Sequence, residues 1–254
     1  METSENSLLD GCLWIFKDIT EHEEYNSIFE NPVLGKMKKL HDTLGVKFTC
    51  YCFYNAWYDF TLSDATERFH QEFEDNADWL KFGFHGYGFD ETGVDRTYEA
   101  IDCAGLLLED YKLVTKELCR ITSEKNLPQL LRLSSFRGSK EGIRLLHAEG
   151  IKGLLCAETM ERESYYLDAD ARRKLYSKGE FYDRKLGVKF LLTWLRMENE
   201  EPIEENLGYL IRNRYPIVVF THEWAIMEDE QKVWSNLDRV FECVNTIDGK
   251  IRFF

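Results

Sequence analysis

The stretch Pro32-Val33-Leu34-Gly35-Lys36-Met37-Lys38-Lys39-Leu40-His41-Asp42-Thr43-Leu44-Gly45-Val46-Lys47-Phe48-Thr49-Cys50-Tyr51-Cys52-Phe53-Tyr54 contains the unit from which the fold is read. Val33, Met37, Leu40 and Leu44 recur at helical spacing and define one apolar face. Gly45 follows, a residue free to take the left-handed conformation that closes a helix, and the run 46–54 then reads as a strand. The pattern recurs at 139–156. There Ser139 caps the helix Lys140 to Glu149, Gly150 ends it, and Ile151-Lys152-Gly153-Leu154-Leu155-Cys156 supplies the strand. A third copy runs from the helix after Pro202 to about Asn213 and into Ile217-Val218-Val219-Phe220. Adding shorter apolar runs predicts strands near 12–16, 46–54, 80–84, 130–134, 151–156, 189–195 and 216–220. Helices are expected in most of the gaps, with a long one near 94–121 and the last near 228–243. Alternating β and α elements imply a parallel sheet covered by helices, and seven units point to closure into a barrel.

The composition suits that reading. A chain of 254 residues with 44% hydrophobic residues can form one α/β domain over 1–254. Its net charge of −14 disfavours nucleic acid and anionic membranes as partners. No apolar run reaches the roughly 18 residues of a membrane span. The first residues, Met1-Glu2-Thr3-Ser4-Glu5-Asn6-Ser7, lack the basic and apolar regions of a secretory signal. The seven cysteines are scattered, most of them in apolar runs, which suits buried thiols and a cytoplasmic location. No glycine-rich phosphate loop occurs. The segment 160–188 breaks the alternation and reads as a hairpin or lid inserted into the barrel.

In a parallel barrel the chemistry gathers beyond the carboxyl ends of the strands. The residues just past each run are Lys17-Asp18, then Tyr54 to Trp57, then His85-Gly86-Tyr87-Gly88-Phe89-Asp90. Ser134 to Gly138, Glu158, Trp194 with Glu198, and Thr221-His222-Glu223-Trp224 complete the rim. His85 and His222 with Asp18 form a set of imidazole and carboxylate donors of the kind that holds Zn²⁺ or a similar divalent ion and activates water. Trp224, in the turn after His222, is a candidate to stack on a sugar ring. Glu223, adjacent to His222, is expected to point away from the site while the pleat persists.

The order of these pieces resembles the polysaccharide deacetylase family, metal-dependent carbohydrate esterases on a distorted (β/α)7 barrel. In that family strand one ends in an Asp-Asp pair, the first a catalytic base and the second a metal ligand. The resemblance puts Lys17-Asp18 there, so Asp18 is the expected ligand and Lys17 stands in the place of the base. The family's His-x-x-x-His is matched by His85 alone, with Phe89 at the second position and Asp90 beside it as the substitute ligand. An arginine motif is matched by Arg137 in Ser134-Ser135-Phe136-Arg137-Gly138, and the closing histidine, a general acid, by His222. With Lys17 in the base position, Glu158 or Glu198 is the carboxylate expected to take that role. The resemblance thus implies a metal-dependent hydrolase, most simply a zinc one, removing an acyl group from a sugar or other small polar amide or ester. Its catalytic residues would be His222, Lys17 and Glu158, its metal ligands Asp18, His85 and Asp90, and its substrate contacts Trp224, Arg137 and Tyr87. The alternative is a carbohydrate-binding protein of the same fold whose catalysis is impaired. In either case the partner is a small molecule or an oligosaccharide.

Overall fold

A computed structural model of the chain describes residues 4–56, 59–89, 96–199, 202–213, 215–245 and 252–253. Strand β1 (Ser4–Cys12) is flanked by β2 (Phe48–Asn55) on one side and by β9 (Ile217–His222) on the other, all parallel. With β3 (Leu80–Gly88) beyond β2 and the short β8 (Leu195–Arg196) beyond β9, these form a sheet of order β3-β2-β1-β9-β8; β10 (Arg252–Phe253) pairs with the start of β1. A second sheet has the order β4 (Leu130–Leu131), β5 (Gly153–Cys156), β7 (Val188–Leu192) and β6 (Glu180–Asp183), with β6 antiparallel to β7.

The helices follow the predicted grammar. Asn31 caps α2 (Pro32–Leu44) by accepting from the Val33 and Leu34 amides at 3.1 and 3.0 Å, and Gly45 ends it at φ 73°. Ser139 caps α5 (Lys140–Ala148) through the Gly142 amide at 3.2 Å, and Asp168 caps α6 (Ala169–Lys178). The amphipathic α4 (Ala104–Ile121), α7 (Ile203–Asn213) and α9 (Glu230–Asn245), with the short α3 (His70–Asp75), complete the cover. One continuous apolar cluster runs from Leu8 and Leu9 on β1 to Phe241 on α9. Among the described residues no helix is long and apolar enough to cross a membrane.

Three expectations are corrected. The fold is α/β with a parallel sheet of five strands, but the strands do not close into a hydrogen-bonded (β/α)7 barrel. At one seam β4 is only two residues long, and the chain before it brings Pro128 so near Gly83 of β3 that a Cβ on Gly83 would meet the proline ring at 2.6 Å. Contact there runs through side chains instead, as where the Tyr51 hydroxyl donates to the Leu130 carbonyl. At the other seam the chain itself crosses over. Thr193 N donates to Cys156 O in the second sheet, and the next amide, Trp194 N, donates to Val218 O in the first. The single strand expected over 189–195 is therefore split.

The first strand was also misplaced. It ends at Cys12, and the apolar run taken for it belongs to helix α1 (Trp14–Glu21). Ile15, Phe16 and Ile19 are the buried face of that helix. Its cap comes from far away in sequence: the buried Glu223, at the start of α8 (Glu223–Glu228), accepts from the amides of Leu13, Trp14 and Ile15 at 2.8–3.0 Å. A cap supplied over two hundred residues later leaves no local signature for the sequence to show. The inserted segment 160–188 forms α6 and the β6–β7 hairpin.

Gly88 closes β3 at φ 102°, where a Cβ would approach the Asn55 carbonyl oxygen at 1.7 Å. Gly88→Ala is expected to lower the unfolding free energy by about 2 kcal/mol or more, since it combines left-handed strain with a backbone clash. Urea unfolding followed by circular dichroism measures this; an unchanged midpoint would mean that the β2–β3 register at the site is not as described.

Candidate active site

Asp10 is the last residue of regular pairing on β1, opposite His222 on β9 and Tyr51 on β2. Side chains level with one another in parallel strands leave the sheet on one face, so Asp10 and His222 face the same side. Immediately after Asp10 the β1–β2 register slips, with Gly11 at φ 73°. The β2–β3 register slips likewise between Phe84 and Gly86, leaving His85 in the bulge. Bulges re-aim side chains, and here both turn residues toward a pocket of about 200 Å³. It is lined by Asp10, His85, Arg132, Arg162, His222 and aromatic rings that include Phe53, Phe89, Phe136 and Trp224.

Arg132 is the centre of this arrangement. Its side chain is 2% exposed and its Nε donates to Asp10 Oδ2, itself on a side chain 1% exposed. Its Nη1 donates to Thr193 Oγ1 at 3.0 Å, and that hydroxyl donates onward to Cys156 O at 2.5 Å. The guanidinium stacks between the rings of Phe220, 4.0 Å away, and Phe136, 4.6 Å away. Its backbone carbonyl accepts from His85 Nδ1 at 2.5 Å. Burial pushes the His85 imidazole down to about 4, outweighing the Asp10 charge and the Arg132 carbonyl, which act the other way. The ring is therefore neutral near pH 7, with its proton on Nδ1 and its lone pair on Nε2. The other oxygen of Asp10, Oδ1, is buried and has no hydrogen-bond partner among the described residues.

His222 is held from behind. Its Nδ1 donates to Glu198 Oε1 at 2.5 Å, leaving Nε2 for the pocket. Arg196 Nε donates to the same oxygen at 2.5 Å, and Thr221 Oγ1 donates to Oε2 at 3.0 Å. Burial acts to raise the Glu198 carboxyl, but the bond and charge of His222, with help from Arg196, overcome it and hold the group down at about 2. Glu198 is thus a carboxylate throughout the physiological range. Glu223 points the other way, into the N-terminus of α1, where it holds the amides of Leu13, Trp14 and Ile15 just past β1.

Of the residues singled out in the sequence, His85, His222 and Trp224 line this pocket, and Lys17, Asp18, Glu158, Arg137 and Tyr87 do not. Because β1 ends early, Lys17 and Asp18 lie a full turn into α1. Lys17 pairs with Glu21 one turn further on. Asp18 accepts from Asn31 Nδ2 at 2.8 Å and lies 3.3 Å from His22 Nδ1, so it braces the α2 cap. Glu158 accepts from Arg162 at 2.7 Å at the rim. Arg137 is bound by Glu99 and Glu163 on the outside. Tyr87 stacks on Tyr54 with the Arg96 guanidinium over its ring. Asp90 and Trp57 lie outside the described residues.

Asp10, Arg132 and Arg162 were missed. The signals available were an acid followed by glycine at the end of Leu8-Leu9, and a lone arginine inside Leu130-Leu131-Arg132-Leu133. The strand-end carboxylate position to which the resemblance pointed is occupied by Asp10-Gly11 rather than by Lys17-Asp18.

Among the described residues the donors do not assemble a site for a divalent ion. Among the described residues no three His, Cys, Asp or Glu side chains converge. Asp18 is committed to Asn31 and His22 and does not line the pocket with His85 and His222. The Arg132 cation already sits on the Asp10 carboxylate, where it would repel a second positive charge.

No family model and no curated protein sequence matches this chain. A solved structure from Mycobacterium smegmatis, provisionally named a polysaccharide deacetylase, is similar over 100% of this chain and 94% of its own, with a TM-score of 0.45 and 11% identity. A likeness at that level bears on neither chemistry nor substrate.

Two measurements probe the site without a substrate. Arg132→Met strands the Asp10 carboxylate in the interior and is expected to cost about 3–5 kcal/mol of stability in chemical denaturation, with Asp10→Leu on the same background recovering part of the loss. The second is a pH series. Unfolded histidine takes up a proton below about pH 6.5 while buried His85 does not until about 4, so His85 withdraws stability as the pH falls through that window. His85→Asn removes this dependence, and the stability gap between the two proteins should narrow between about pH 6.5 and 4. Using the difference cancels Glu223, pushed up to about 7 by burial against its three amide donors, whose slope has the opposite sign. A gap that is constant with pH would show that His85 is protonated in the native state.

Proposed function

We propose that this pocket is the active site of a hydrolase that removes an acyl group from a small polar amide or ester. One observation carries the reading: Asp10, whose buried Oδ1 has no hydrogen-bond partner among the described residues, and His222, with one imidazole nitrogen anchored to a carboxylate, line the same small pocket. A carboxylate and a histidine so placed suit general base and general acid roles.

In this scheme Asp10 accepts a proton from a water molecule as the water oxygen attacks the acyl carbon. The carbonyl becomes a tetrahedral oxyanion, and the carbon–nitrogen or carbon–oxygen bond then breaks. His222 enters the step as the imidazolium and delivers its Nε2 proton to the departing nitrogen or oxygen, with Glu198 holding the ring by Nδ1 throughout. Arg132 keeps the Asp10 carboxylate in place, and Phe53, Phe89, Phe136 and Trp224 exclude bulk water. No step is routed through a metal ion. The aromatic lining also suits the second reading, a pocket that binds a sugar without cleaving it.

Turnover separates the two. On a panel of N-acetyl and O-acetyl compounds, including acetylated amino sugars, Asp10→Asn and His222→Gln should each lower kcat by about a hundredfold to ten-thousandfold. Lys17→Ala, on the outer face of α1, should leave it within a few-fold. If the protein binds members of the panel but cleaves none, the binding-only reading replaces this one.

A further inference from the structure

The three non-glycine residues with left-handed backbone among the described residues are Ser135, Phe136 and Tyr165, at φ 56°, 55° and 58°. All three stand in two adjoining segments at one wall of the pocket, tied where Tyr165 N donates to Phe136 O at 2.7 Å. Tyr165 is fastened twice more, donating from its hydroxyl to Leu155 O at 2.7 Å and accepting from Leu133 N at 3.3 Å. Such strain persists where the surroundings force it, and it concentrates at ligand clamps. What it holds here is Phe136, between two arginines: Arg132 on one side and Arg162, with its guanidinium 4.9 Å from the ring centre, on the other.

The two arginines differ. Arg132 is buried and consumed by Asp10 and Thr193, whereas Arg162 lines the pocket with its side chain 43% exposed. Only Nη1 of Arg162 is engaged, by Glu158 at 2.7 Å; among the described residues its Nε and Nη2 meet no protein acceptor. The ionic balance of the pocket points the same way. Asp10 pairs with Arg132, Arg196 pairs with Glu198 and His85 is neutral, while Arg162 pairs with Glu158 through Nη1 alone and keeps its Nε and Nη2 donors for the pocket. A chain with a net charge of −14 thus presents a cation in this pocket, preset by stacking on Phe136 and by Glu158.

We propose that Arg162 is the specificity residue of the pocket and that it selects substrates bearing a carboxylate close to the acyl group, as in an N-acyl amino acid or an acylated sugar acid. A planar carboxylate matches the guanidinium edge bidentately, which a hydroxyl cannot do. The pocket volume of about 200 Å³ limits the ligand to a small molecule. This inference rests on the reading of the pocket as the site of an acyl hydrolase, but it concerns recognition and is tested by binding.

The probes are N-acetyl-alanine and its uncharged N-methylamide, titrated calorimetrically into the wild-type protein and into Arg162→Met. Wild type should bind the carboxylate about tenfold tighter or more, the amount expected of a charge-assisted contact. Arg162→Met should bind the two compounds alike. Arg137→Met, which removes a surface charge outside the pocket, should keep the preference and so separate contact from long-range attraction. Equal binding of the two compounds to wild type overturns the proposal, as does a preference that survives in Arg162→Met, or no binding of either up to tens of millimolar. Binding of the carboxylate without hydrolysis would sink the hydrolase reading and leave this one standing; equal hydrolysis of both compounds would do the reverse.

Discussion

The Asp10–Arg132 ion pair is the constraint from which the rest of the site follows. Both side chains are withdrawn from water, so each depends on the other and on the groups around them. Arg132 satisfies itself by reaching Asp10 on β1, Thr193 at the crossover between the sheets, and the faces of Phe220 and Phe136. Its carbonyl fixes His85 on β3. A single residue just past the two-residue strand β4 therefore binds together elements that the backbone ladders leave in separate sheets. An apolar substitute could fill that volume, but it could not pair with Asp10 beside a small pocket.

The open seams belong to the same design. Where a laddered barrel would place backbone hydrogen bonds, this molecule has Pro128 against Gly83 on one side and the Thr193-Trp194 crossover on the other. The second seam delivers the Thr193 hydroxyl to Arg132. Irregular backbone elsewhere follows the same rule. The bulges at Gly11 and His85 and the left-handed turn at Ser135 and Phe136 all border the pocket. Regular structure supplies the frame, and its interruptions aim the side chains.

How much of this was legible in the sequence depended on how local the determinants were. The cap at Ser139 and the stop at Gly45 are set by neighbours within four residues, and they were read correctly, whereas the cap at Asn31 was not named. His85 and His222 were found because each ends an apolar run. The end of β1 was not found, because α1 starts only when Glu223 caps it and because Ser4 to Asn6 lack strand character. That slip of one element set Asp18, a residue of α1, at the strand end that Asp10 occupies. Arg132 was passed over for Arg137 because a charged residue within an apolar run becomes intelligible only when its partner, 122 positions away, is known. Barrel closure was inferred from the number of units, and strand length and seam packing, which decide it, leave little trace in periodicity.

The placement of β1 has a consequence for how such a chain is made. Its long pairing partners are β2, complete by residue 55, and β9, which begins at residue 217. During synthesis the edge of β1 reserved for β9 stays unpaired while some 160 intervening residues emerge. An open edge of that kind is a site for wrong pairing, and contacts so distant in sequence slow folding. The cap on α1, the partner strand of Asp10 and the imidazole beside it all arrive together in the short stretch from Ile217 to Glu223. Closing the sheet and assembling the chemistry are thus one late event. A nascent chain halted before that stretch would hold a sheet with one open edge and a site lacking His222 and the cap on α1.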